Sequence, residues 1–171
     1  MRKSIIAILM TFCLSIMTYA QTPRDRATEL KEQAQSSLNQ KDYIKARYLF
    51  KKAYEAFATR ENYPQAIECG VQANALYVRE NFYKEGFELC RDMDQLIWAG
   101  EQNQKKVFYD LRFLVNKERL QMYTALKNPA QAKTQLNKLE ETANLAKNDS
   151  LTEVLLYTKA NYYYTFNQNT Q

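Results

Sequence analysis

The chain contains no histidine, and glycine and proline occur only three times each among its 171 residues. Without an imidazole there is no Ser-His-Asp or Cys-His nucleophile pairing and no His-ligated metal site. Gly70, Gly86 and Gly100 stand alone, so neither a Walker loop nor a G-x-G-x-x-G turn can be written. Period-2 alternation is missing, which removes the strand signal. Charge of one sign never accumulates. The net charge is +5, and Lys51-Lys52 and Lys105-Lys106 are the only basic doublets after the first residues, so no nucleic-acid arm is present. Acidic pairs such as Glu140-Glu141 or Asp92 and Asp94 read as solvated helix charges, because near neighbours on a helix point in different directions. The chain is therefore expected to carry no catalytic residue, cofactor site or metal site, which leaves binding and scaffolding.

What is present begins with an export signal in residues 1–20. Arg2-Lys3 form a charged start, Ile5 to Met17 an apolar stretch, and Thr18-Tyr19-Ala20 a small-residue cleavage site before Gln21. The apolar stretch is short beside the roughly 20 residues that a membrane helix needs, so cleavage is expected rather than a retained anchor. Cys13 lies in that stretch, but bulky Phe12 stands where a lipobox requires a small residue. The expected mature chain is periplasmic or secreted, without a membrane span, and forms one region over residues 21–171.

In that region apolar residues recur at three- and four-residue steps: Leu30, Ala34 and Leu38, then Ile44, Leu49 and Ala53, and later Leu156, Ala160 and Tyr163. The spacing predicts an all-α chain with about seven helices, over 23–40, 43–59, 64–80, 83–99, 103–127, 129–147 and 150–167. Asn128-Pro129 offers a cap followed by Pro at the first helical position, Ser150-Leu151-Thr152-Glu153 reads as a capping box, and Gly100 reads as a helix stop. If 64–80 and 83–99 form a hairpin, Cys69 and Cys90 come nearly level. They are then either a disulfide or two separate buried thiols, since packed helix axes lie roughly 8–10 Å apart and a bridge wants Cα atoms within about 7 Å.

A common grammar links three segments: Asp42-Tyr43-Ile44-Lys45-Ala46, Phe82-Tyr83-Lys84-Glu85-Gly86 and Asn128-Pro129-Ala130-Gln131-Ala132. Each ends in a small residue, with Phe50 and Ala53 following Ala46 at helical spacing, and Ala34 and Tyr77 at small and aromatic positions of the preceding helices. In these features the chain resembles the tetratricopeptide repeat (TPR) family, whose helical hairpins carry small and aromatic residues at set positions. Asn74, Met93, Leu120 and Leu139 depart from the pattern by placing larger residues at small positions. Ala160 and Tyr163 match it in a fourth unit that ends after its first helix. The resemblance implies a right-handed TPR-like solenoid over residues 21–171, incomplete at its C-terminal end, acting as a non-catalytic protein- or peptide-binding scaffold.

Together with an export signal, it is also similar to the N-terminal periplasmic region of exported bacterial regulators. That implies the alternative of a ligand-sensing region of a membrane-anchored signalling regulator, whose output domain lies beyond residue 171. In TPR proteins the first helix of each unit lines the concave groove. Carried across, this puts Lys31, Gln35, Lys117, Gln121, Tyr157, Asn161 and Tyr164 on the groove wall. The Lys31–Gln35 and Lys117–Gln121 pairs resemble clamps that hold an acidic or C-terminal peptide segment.

Overall fold

The computed structural model describes residues 25–167, and the expected export signal with its expected cleavage site lies outside them. The described residues are all-helical, without strands: α1 (Arg26–Asn39), α2 (Tyr43–Thr59), α3 (Tyr63–Arg79), α4 (Tyr83–Gln104), α5 (Tyr109–Ala125), α6 (Pro129–Ala146) and α7 (Asp149–Asn167). No helix among them is long and apolar enough to cross a membrane.

Helix starts at Tyr43, Tyr63 and Tyr83, and again at Tyr109, Pro129 and Asp149, fall 20 residues apart. The same turn sets this rhythm. At the end of α1, Lys41 N–H donates to Leu38 O and Asp42 N–H to Ser37 O, both at 2.9 Å, and the arrangement recurs after α2, α3 and α5. The pivot residues Lys41, Glu61, Asn81 and Lys127 have φ between 53° and 62°. This is the left-handed helix-ending conformation usually given to glycine, occupied here without one. The next residue then caps the following helix at three of the four turns: the side chains of Asp42, Asn62 and Asn128 accept from the N–H of Lys45, Gln65 and Gln131.

Three boundary readings are corrected. The fifth helix begins at Tyr109 rather than at 103, because residues 103 and 104 complete α4. Gly100 does not stop α4, which continues through it for another turn to Gln104 and ends on left-handed Lys105. Gly100 is there for space: a Cβ on it would stand 2.8 Å from the Phe108 ring and 3.0 Å from the Tyr63 ring. At α7 the side chain that accepts from Ser150 N–H, at 3.0 Å, belongs to Asn148, so the helix opens slightly before the Ser150 capping box.

Successive helices pack against one another, and α3 also packs on α5 and α5 on α7. One core joins α1 to α5 through Phe50, Phe57, Ile67, Ile97 and Met122; a smaller one joins α5 to α7 through Phe113, Leu120, Leu136, Leu139 and Leu155. Helix α5 serves both. Two volume exchanges account for two of the four large residues at expected small positions, Asn74 and Met93. Buried Asn74 is accommodated because its partner is Gly86, where a Cβ would lie 3.0 Å from Asn74 Oδ1. Buried Met93 faces Gly70, where a Cβ would lie 2.6 Å from its sulfur. A small residue still permits each close approach, but it has moved to the opposite helix.

The fourth-unit match is different. Ala160 and Tyr163 lie on the exposed side of α7, while Leu155 and Tyr162 are buried on the other. The corresponding residues Ala34, Asn74 and Leu120 are buried, each in a helix followed by a packed partner.

Cys69 and Cys90 are both buried free thiols. Their charged surroundings differ: Lys31 and Glu68 act on Cys69, whereas Arg119, Glu118 and Asp94 act on Cys90. Of the two readings, separate buried thiols describes the structure. Burial pushes the Cys69 thiol up to about 11 and the Cys90 thiol up to about 12, which leaves little nucleophilic thiolate at neutral pH.

Candidate binding cleft

Helices α5 and α7 do not seal against each other along their full length. Between them is a half-open cleft of about 380 Å³. Four of the seven groove residues read from the sequence meet there: Lys117 and Gln121 from α5, Tyr157 and Asn161 from α7. The spacing explains the convergence, because residues four apart lie one helical turn apart on the same face. Leu120 and Tyr162 form the apolar side, and Tyr162 is held by ring contacts with Tyr163 at 5.2 Å and Phe166 at 5.0 Å.

The electrostatics have one sign. Lys117 and Lys127 line the cleft, and none of its lining residues is acidic. A buried carboxylate lies beside Lys117. Glu118, only 2% exposed, has Oε1 3.6 Å from Lys117 Nζ and accepts a hydrogen bond of 3.1 Å from Asn74 Nδ2. Burial raises its pKa, opposed by the Asn74 hydrogen bond and the Lys117 charge. Lys117 therefore stands between a buried carboxyl group and the open cleft.

The remaining groove residues lie elsewhere. Lys31 Nζ bridges α1 to α3 by bonds of 2.7 Å to Glu68 and 2.8 Å to Gln65, so two of its three donors are already engaged. Gln35 donates to Asn39 on its own helix at 3.1 Å. Tyr164 is 68% exposed and does not line the cleft. Sequence reasoning missed Lys127, which enters the cleft from the left-handed turn after α5. Its signal was its place immediately before the Asn128-Pro129 helix start.

No group of His, Cys, Asp and Glu among the described residues is arranged to hold a metal ion. Comparison with protein-family models, curated proteins and solved structures finds no match.

Proposed function

We propose that this chain is a non-catalytic, TPR-like scaffold that binds a peptide segment of a partner protein in the cleft between α5 and α7, and that the segment is acidic or ends in a free carboxylate. The observation that carries this is the convergence of Lys117, Lys127, Gln121 and Asn161 beside the Tyr157 and Tyr162 rings, with no acidic residue in the lining. Lysines supply point charges for a carboxylate, the amides hydrogen-bond a peptide backbone, and the rings give flat apolar contact. The packing of α3 on α5 and α5 on α7 supports a solenoid in which these three helices form one continuous wall.

Two partly exposed charge contacts contribute about 0.5–1 kcal/mol each. The Lys117→Glu, Lys127→Glu double variant is thus expected to bind an acidic peptide library with free C-termini about tenfold or more weakly. Lys51→Glu should bind like the parent, and affinity should fall with added salt. Fluorescence anisotropy measures all three proteins; equal affinities would remove the cleft assignment.

The site of action that we infer is outside the cytoplasm, after removal of residues 1–20. N-terminal sequencing of exported protein should begin at Gln21. Retention in the cytoplasm with Met1 intact would refute export.

A further inference from the structure

On the other side of α5 lies a second cavity, walled by α4 and α6, of about 450 Å³. Its floor is a row of donors. Arg112, Asn116 and Arg119 follow one another at steps of four and three residues, and so share one face of α5. Both guanidinium groups are held in place from the side. Arg112 Nε donates to Glu101 Oε1 at 2.7 Å and its Nη2 donates to Glu101 Oε2; Arg119 Nη2 donates to Asp94 and, at 2.9 Å, to the Cys90 carbonyl. These bonds leave Arg112 Nη1 and Arg119 Nη1 and Nε without partners among the described residues. Lys138 adds an unpaired ammonium from the α6 wall.

The α4 wall ends in Trp98, the only tryptophan of the chain, which is 62% exposed although it lines a cavity. A large ring left this open, beside fixed donors, is a platform for a flat ligand. The size is that of a small-molecule site, within the usual range of roughly 300–1,000 Å³. Glu101 and Asp94 answer one side of each guanidinium, but a purely apolar ring would leave the free Arg112 Nη1, the free Arg119 Nη1 and Nε and the Lys138 ammonium without an acceptor, and a simple inorganic anion would leave Trp98 unused. Glu141 and the Asn116 amide oxygen add acceptors for hydroxyl groups.

We propose that this cavity binds an acidic sugar. The C–H face of its ring lies on Trp98, its carboxylate meets Arg112, Arg119 and Lys138, and its hydroxyls bond Asn116 and Glu141. This site is separate from the peptide cleft and does not depend on it. Pre-positioned guanidinium groups suit a carboxylate because they lose little freedom on binding.

Trp98 is its own reporter. The full chain is titrated with galacturonate, glucuronate and mannuronate trimers, maltotriose and sodium sulfate while tryptophan emission is followed. At least one uronate trimer is expected to give a saturable change, with maltotriose and sulfate giving none over the same range. Lys138 is exposed, so Lys138→Glu should keep its helical circular dichroism while binding the uronate about tenfold more weakly; Lys51→Glu should bind it unchanged. Three results would each overturn the proposal: no saturable response to any uronate, an equal response to maltotriose or sulfate, or undiminished affinity in Lys138→Glu.

Discussion

Replacing Met93 with Ala should destabilise the protein by about 2–5 kcal/mol, because a fully buried thioether is lost and the surrounding helices close only part of the gap. The partner residue should then change sign. In the parent, Gly70→Ala places a Cβ 2.6 Å from Met93 Sδ and 3.2 Å from the Tyr54 ring, and overpacking of this kind costs about 1–3 kcal/mol. In the Met93→Ala background the same methyl enters vacated space, and Ala is favoured over Gly in a helix by about 1 kcal/mol. Gly70→Ala should therefore harm the parent and help the variant. Urea denaturation of the four proteins measures the cycle, and additive effects would show that the two residues do not share this space.

Two buried carboxyl groups should move stability with pH in opposite directions. Glu101, 7% exposed, accepts from both Arg112 and, at 2.9 Å, the Phe108 N–H; the Arg112 bond in particular holds its pKa below the usual carboxylate value. A lowered folded-state pKa means stability that is present above the unfolded value and lost as pH falls through the folded one. Glu101→Gln should cost about 1.5–3 kcal/mol at pH 7, the range for charge-assisted hydrogen bonds, and progressively less as the solution is acidified.

Glu118 runs the other way, since burial raises its pKa. Its contribution is most favourable below the unfolded value and declines as pH rises toward the folded one. The Asn74 hydrogen bond and the Lys117 charge oppose this direction without reversing it. Glu118→Gln should gain on the parent as pH increases from 4 to 8. Thermal melts of both variants across that range test the signs, and parallel curves for the two would refute the assignment.

Local chemistry was legible in the sequence wherever a short segment determined the outcome. The three- and four-residue stripes located the helices, and Asn128-Pro129 marked the start of α6 because cap and helix share the same few residues. Gly100 was misread because glycine looks alike as a stop and as a point of close contact; Tyr63, which distinguishes them, lies on another helix. Likewise the TPR resemblance put Lys31 on an open groove wall, but its partner Glu68 lies 37 residues away. The α5–α7 cleft was partly readable, since two helices with repeating faces build it. The Trp98 cavity was not, because it joins side chains of three helices whose mutual rotation no local pattern encodes.

Helix α5 gives Leu111, Val115 and Met122 to one core and Phe113 and Leu120 to the other. In energetic terms it is a party wall. We expect the smaller core, shared by α5, α6 and α7, to open while the larger one persists, so that the described residues unfold as two cooperative units rather than one. Opening of the smaller unit would remove the α5–α7 cleft and the α6 wall of the Trp98 cavity together and leave α1 to α4 folded. Amide exchange would then divide at α5, where the two rates meet within a single helix.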